Sequence, residues 1–250
     1  MKYVLYVMFL LGSFIVVAQT ANDRVYLKSD GVADIFYNYD SIGRIAQIRS
    51  SMYSSYESYV YRNDSILIYE VELPDSTLEK IYKLNKDGLA DHVAIISEDE
   101  FYYEYYQYQN GMLLKKYHRY PINGQSTKYE INNGNNAKES FNDTSFQTGR
   151  FSYQQSTINY TYTQKQNTLQ NLNFGQAFLG KLNSKLLNNS VHTSYISDVC
   201  SGTPCPVLPN TKRVDEYSYE YSFDAKGRIK QEIKLNDKTL KGIKTKYYYY

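Results

Sequence analysis

The stretch Glu216–Leu235 reads EYSYEYSFDAKGRIKQEIKL. Its centre, Asp224-Ala225-Lys226-Gly227, has the chemistry of a tight turn: Asp opens it, and Gly takes the left-handed conformation that L-residues avoid. On either side, apolar and polar residues alternate with the two-residue period of a β-strand. Counting outward from the turn, a simple hairpin register sets Phe223 opposite Ile229, Tyr221 opposite Gln231, Tyr219 opposite Ile233 and Tyr217 opposite Leu235. One face is then aromatic and aliphatic, broken at Gln231. The other carries Glu216, Ser218, Glu220, Ser222, Lys230, Glu232 and Lys234. The stretch predicts a sheet unit with one dry and one wet face.

The unit recurs. Tyr37, Asp40, Gly43, Arg44 and Ile45 stand at the same offsets as Tyr221, Asp224, Gly227, Arg228 and Ile229, and Gln47 matches Gln231. Asn85-Lys86-Asp87-Gly88 has the same turn chemistry, and Asn110-Gly111 and Asn132-Asn133-Gly134 are strong hairpin signals. Gly88, Gly111 and Gly134 are 23 residues apart, the length of two strands and two short connections. Arg62-Asn63-Asp64-Ser65 sits near the middle of the double interval from Gly43 to Gly88, and Gln154–Thr157 falls where a further turn is due. Between these punctuation points lie Tyr-rich strands at Tyr53–Tyr61, Ser65–Glu72, Leu78–Leu84, Phe101–Tyr108, Met112–Tyr120, Thr127–Ile131 and Ile158–Thr163, with a last one at Ile243–Tyr250. Short links force antiparallel neighbours. The expected fold is all-β: an antiparallel meander of repeated hairpins of about 23 residues forming a large curved sheet.

The repeat breaks at 165–212. Leu169, Leu172, Phe178, Leu179, Leu182, Leu186 and Leu187 approach helical spacing, which predicts one short helix laid on the dry face before the last hairpin. An apolar loop under the sheet is the alternative. Asn188–Asn210, with three prolines, reads as a loop.

The N-terminus reads as an export signal: Lys2, an apolar run over Val4–Val17, then a small residue at Ala18, so cleavage is expected between Ala18 and Gln19. Residues 19–250 then form a single domain. The apolar run is short for a membrane span. In an exported chain, Cys200 and Cys205 (CSGTPCP) are expected to pair in a disulfide that pinches a loop. The 30 tyrosines and absent tryptophan suit a thin, half-exposed sheet. A net charge of +2 argues against nucleic acid as a partner.

The unit Tyr-x-Tyr/Phe-Asp-x-x-Gly-Arg-Ile resembles the YD (RHS-type) repeat, a hairpin that builds extended β-sheet shells. From about Val25 to Tyr250 the chain is also similar to an uncharacterised family of exported proteins from Bacteroidetes-type bacteria. That likeness rests on the hairpins and on Tyr160-Thr161-Tyr162 with Leu179-Gly180-Lys181-Leu182-Asn183-Ser184-Lys185. The resemblance implies an all-β exported protein and carries no activity. Many such relatives have a lipid-anchored Cys, whereas no Cys follows the apolar leader here.

Catalytic chemistry finds little foothold. His92, His118 and His192 lack a nearby nucleophile motif, and none of the phosphate-loop, dinucleotide, zincin or serine-elbow patterns occurs. Glu98-Asp99-Glu100 reads as a charged turn rather than half of a glycosidase pair. The residues therefore predict no catalytic, metal or cofactor-binding site and no cofactor. The leading expectation is a non-enzymatic exported β-repeat protein, periplasmic or at the cell surface. It would be a monomeric scaffold for a protein or glycan partner. The alternative is an outer-membrane β-barrel of porin-like type; a carbohydrate-active hydrolase comes second to that. Against the barrel, Lys244 and Lys246 fall on the same face of the final strand as Tyr250.

Overall fold

A computed structural model describes residues 24–96, 101–118, 124–147, 150–169, 173–200 and 211–250. It contains sixteen strands: β1 (Val25–Ser29), β2 (Asp34–Tyr39), β3 (Ile45–Ser50), β4 (Tyr56–Tyr61), β5 (Ser65–Glu72), β6 (Asp75–Leu84), β7 (Ala90–Ile96), β8 (Phe101–Gln109), β9 (Met112–His118), β10 (Gly124–Asn132), β11 (Asn135–Gln147), β12 (Arg150–Gln166), β13 (Lys185–Cys200), β14 (Thr211–Phe223), β15 (Ile229–Asn236) and β16 (Gly242–Tyr249). Each strand pairs antiparallel with its sequence neighbours, and β1 closes on β16, so the meander is a barrel. The expected curved sheet is thus corrected. Closure pairs every ladder edge, which removes the exposed edges an open sheet of this size would carry.

The links that follow the even-numbered strands lie at one end of the barrel. Gly43, Gly88, Gly111, Gly134 and Gly227 all have positive φ there. Asp40 and Asp224 build identical turns. Each accepts the backbone amides two and four residues on through Oδ1, and holds the Nε of Arg44 or Arg228 at 2.7 Å through Oδ2. Each Arg then lies over the ring of a tyrosine one hairpin further on, Arg44 over Tyr61 at 4.0 Å and Arg228 over Tyr249 at 4.2 Å. The shared residues of the sequence repeat are therefore the parts of one device that joins neighbouring hairpins. Ile45 and Ile229, the first strand residue after each device, are fully buried.

The simple hairpin register fails in one respect. Phe223 does face Ile229, but a bulge follows, so Tyr221 faces Glu232, Tyr219 faces Lys234 and Tyr217 faces Asn236. Ile233 and Leu235 turn to the outer surface. Comparable irregularities sit beside the turns after β2, β6, β8 and β10. A one-residue slip exchanges the two faces of a strand, so the expected dry face of β15 is instead charged.

Three further expectations are corrected. Among the described residues there is no α-helix: the insert carries three-residue 3-10 turns at Asn173–Gly175 and Ala177–Leu179. Gln154–Thr157 lies inside β12, and the region read as a loop from Asn188 begins inside β13. Ala18, Gln19, Cys205 and the run Glu98–Glu100 lie outside the described residues, as does the side chain of Cys200. No helix among those described is long and apolar enough to cross a membrane.

Candidate functional site

The lumen is the chemically distinctive part of the molecule. Every even-numbered strand brings an inward tyrosine to one level: Tyr37, Tyr59, Tyr82, Tyr106, Tyr129, Tyr160, Tyr221 and Tyr247. Register explains the level. Tyr37 pairs through Ile48 with Glu57, two residues before Tyr59; Tyr59 pairs through Ile68 with Lys80, two before Tyr82; Tyr82 pairs through Val93 with Glu104, two before Tyr106. The same step leads from Tyr106 to Tyr129, from Tyr129 to Tyr160, from Tyr221 to Tyr247 and from Tyr247 to Tyr37, whereas Tyr160 pairs through Ser190 with Tyr217, four residues before Tyr221. A closed barrel needs such a stagger because its strands tilt by about 35–45° from the axis. A residue that advances two places per hairpin therefore forms a ring.

Two residues nearer the turns lies a second inward set: Tyr39, Tyr61, Leu84, Tyr108, Ile131, Tyr162, Phe223 and Tyr249. The hydroxyls of Tyr39, Tyr61, Tyr162 and Tyr249 donate to the carbonyls of Val25, Ile45, Asn136 and Ile229 at 2.6–2.9 Å. Each reaches back to the first turns of a preceding odd-numbered strand. The polar tip of the ring thus ties each tyrosine to backbone near the barrel mouth.

The link between β12 and β13 lies across this mouth as a stopper. Phe174 stacks on Tyr37 at 5.1 Å and lies parallel to Tyr247 at 6.4 Å; Phe178 meets the edge of Tyr82 at 5.0 Å. Gln176 Nε2 donates to the Tyr59 hydroxyl. The amides of Lys181 and Ser184 donate to the carbonyls of Gly111 and Gly134 in two turns. Gly180 is required here: with φ at +90°, a Cβ would stand 2.7 Å from the Gly111 carbonyl oxygen and 2.9 Å from the Tyr108 ring. Leu169, Phe178 and Leu186 complete the buried core with Ile45, Ile66 and Ile229. Of the residues whose spacing suggested a helix, Leu169, Phe178, Leu179 and Leu182 belong to this irregular apolar stopper, Leu186 and Leu187 lie in β13, and Leu172 lies outside the described residues.

On the other side of the tyrosine ring the lumen becomes charged. Glu57 accepts the Tyr59 hydroxyl at 2.7 Å and pairs with Lys80 at 3.1 Å. Glu104, buried, accepts the Tyr106 hydroxyl and pairs with Lys116 at 3.1 Å and His118 at 2.8 Å. Glu139 accepts the Tyr160 hydroxyl at 2.7 Å. On the opposite wall Lys234 covers the Tyr217 ring at 4.1 Å, and the Ser190 hydroxyl contacts both His192 and the Tyr219 hydroxyl. His118 and His192 are lumenal, whereas His92 lies outside between Tyr103 and Tyr105. Of the ten hairpin-motif residues, Tyr37 and Tyr221 belong to the lumenal ring, and the other eight lie at the turn end in the scaffold beneath it.

The outer wall has two characters. A register row across β4–β8 reads Val60, Leu67, Ile81, Ala94, Tyr103. The corresponding row across β10–β14 reads Lys128, Ser140, Thr157, Thr193, Val214. Lys244, Lys246 and Tyr248 also face outward on β16, on the same side as Tyr250.

In turns outside the barrel wall, burial works against the charge of Asp40 and Asp224 but is outweighed. Hydrogen bonds from the Arg44 and Arg228 guanidinium groups and backbone amides hold both carboxyls below the usual Asp value.

No family model matches the chain, and no curated protein does. Among solved structures, a porin-like protein from Bacteroides uniformis superposes with a TM-score of 0.56 at 10% identity, over 92% of this chain and 98% of that one. A porin-like protein from Bacteroides vulgatus gives a TM-score of 0.47 at 12% identity, over 90% and 98% of the two chains. The first likeness places the chain among proteins sharing this closed all-β fold.

Proposed function

We propose that this chain is an exported, non-enzymatic outer-membrane β-barrel of porin-like type, with its turn-end mouth stoppered from within. The observation that carries this reading is closure: sixteen strands in a pure antiparallel meander, with β1 sealed to β16. An even strand number and a polar interior are the properties of such barrels, and a closed sheet is what lets strands cross a lipid layer without unpaired backbone. The Arg24 carbonyl accepts the Tyr250 amide at 3.1 Å, so the described ends of the chain meet at the turn end, the periplasmic side in this orientation. The row from Val60 to Tyr103 suits lipid. The lumen, with Glu57, Lys80, Glu104 and Lys116, suits water and small polar solutes.

The polar outer row of β10–β14 favours a second reading, a water-soluble exported barrel that serves as a binding scaffold, because one lysine facing lipid at mid-depth costs about 2–4 kcal/mol. Cell fractionation separates the two. The membrane reading expects the full-length protein in the outer-membrane fraction after an alkaline wash, with heat-dependent gel mobility. It further expects little conductance until the stopper is loosened, for instance by Phe178→Ala. Release of the folded protein into the detergent-free soluble fraction would overturn it.

A further inference from the structure

We infer that the gap between the stopper and the wall formed by β14, β15, β16 and β1 is a binding site for a free amino acid, held by its ammonium and carboxylate groups with its apolar side chain against the stopper. The site needs only the closed barrel and its stopper, so it is independent of whether the outer wall meets lipid or water. On the β2–β11 side the stopper is sealed by ring contacts and by amides donated into two turns. Toward β14–β16 it is held more loosely: Phe174 lies 6.4 Å from Tyr247, and the Ile229 amide reaches Thr168 Oγ1 at 3.4 Å. A cavity of about 180 Å³ lies there between stopper and wall. An apolar cavity of about 150 Å³ accepts benzene, so this one has room for one amino acid and excludes anything as large as a disaccharide.

Two opposite charges line this cavity without pairing. Lys28 stands opposite Tyr247 in the β1–β16 ladder, and Glu232 stands opposite Tyr221 on β14 and Thr245 on β16. All face inward with the tyrosine ring, and Lys28, Glu232 and Tyr247 line the cavity. Neither the Lys28 ammonium nor the half-buried Glu232 carboxylate makes an ion pair or a hydrogen bond with any described residue. The Tyr247 hydroxyl makes none either, although that residue is only 9% exposed. Other lumenal charges are engaged. Glu57 pairs with Lys80, and Glu104 with Lys116 and His118. Lys234 lies over the Tyr217 ring, and Lys185, at the cavity rim, donates to the Gln164 carbonyl at 2.9 Å. Withdrawing a charge from water without a partner is costly, so Lys28 and Glu232 suit a ligand that brings one charge of each sign. Its ammonium meets Glu232, its carboxylate meets Lys28 and the Tyr247 hydroxyl, and its side chain packs on Leu169, Phe174 and Leu182. An anion alone would be set against Glu232 and a cation alone against Lys28, while a neutral sugar would neutralise neither and leave the apolar side unmatched.

The test is calorimetric titration of the folded full-length protein, in mild detergent where it needs one. The probes are leucine, leucinamide (no carboxylate), isocaproate (no ammonium) and glucose. Leucine is expected to bind, with leucinamide and isocaproate at least about tenfold weaker and glucose silent. Lys28→Met is expected to abolish the preference for leucine over leucinamide, and Glu232→Gln the preference for leucine over isocaproate. Lys246→Met, on the outer wall, should leave leucine binding unchanged. Circular dichroism shows whether each variant is folded, and the wild-type series decides the matter even where a variant is not. No leucine binding at millimolar concentration, equal binding of leucine and its two derivatives, or glucose bound in their place overturns the inference. So do folded Lys28→Met and Glu232→Gln proteins that keep both preferences. Any of these results leaves the membrane reading standing, because the titration does not depend on where the protein fractionates. A protein that fractionates as soluble overturns the membrane reading alone.

Discussion

Replacing Tyr61, Tyr162 and Tyr249 by Phe tests the inner ring most cleanly. Each hydroxyl donates to one backbone carbonyl, of Ile45, Asn136 and Ile229, at 2.9, 2.6 and 2.7 Å. Phe keeps the ring, and with it the stacking of Arg44 on position 61 and of Arg228 on position 249. The change therefore isolates one hydrogen bond per site, worth about 0.5–1.5 kcal/mol net. The sites stand on β4, β12 and β16, far enough apart for their effects to add, so the triple variant should lose about 1.5–4.5 kcal/mol. Tyr103→Phe, on the outer wall with 38% of its surface exposed, should change stability by less than about 0.5 kcal/mol. Urea unfolding of the barrel in detergent micelles, followed by circular dichroism, reads all four. A triple variant as stable as wild type would refute the role assigned to the ring, as would an equal loss from Tyr103→Phe.

Three further outcomes follow from the geometry. Gly180→Ala places a Cβ 2.7 Å from the Gly111 carbonyl oxygen at a φ of +90°, a strain of about 1–3 kcal/mol; limited proteolysis should then cut faster within residues 167–184 while the strands stay protected, and an unchanged cleavage rate would count against the stopper. Val60→Lys, on the apolar outer row and 42% exposed, should cost about 2–4 kcal/mol for the protein in lipid, against roughly nothing for a barrel in water, as read by unfolding in vesicles. Asp40 and Asp224 have folded-state carboxyls held below their unfolded value of 3.8, so the unfolded chain binds more protons on acidification. Their contribution is present above that value and is lost as pH falls through it toward the lower folded value; the melting temperature of wild type should drop more between pH 5 and pH 3 than that of Asp40→Asn/Asp224→Asn, and parallel curves would contradict this.

The hairpin periodicity and the turns could be read from residues because they are local. Asn63-Asp64 at the turn entry and the apolar run after it put β5 at Ser65–Glu72, as observed, and Asx-Gly turns with alternating Tyr placed most other expected strands to within a few residues. The register was hidden by the bulge after Gly227, where one added residue sends Ile233 and Leu235 outward and Glu232 and Lys234 inward. The ring of eight tyrosines was obscured for a related reason. Its second tier is broken by Leu84, Ile131 and Phe223, and its alignment depends on stagger between strands, which single-strand patterns do not carry. β13 was missed because Asn188-Asn189-Ser190 and the prolines further on read as loop chemistry, and sheet pairing there overrides weak propensity. The leucines imitated helical spacing although the described ones divide between the irregular link and the start of β13, with Leu169, Leu179, Leu182 and Leu186 sharing one buried cluster. Closure itself joins Val25 to Tyr249, a contact between the two ends of the chain that no local signal announces.

The most direct test of a barrel seated in lipid is an environment-sensitive fluorophore placed on each side of its outer wall. Val60→Cys and Lys128→Cys proteins, labelled and reconstituted into vesicles containing brominated lipid, report contact with acyl chains. A barrel seated in lipid gives blue-shifted, strongly quenched emission at position 60, while position 128 reports whether the polar wall meets acyl chains as well. Unquenched, red-shifted emission at both positions would contradict it and return the chain to the aqueous phase.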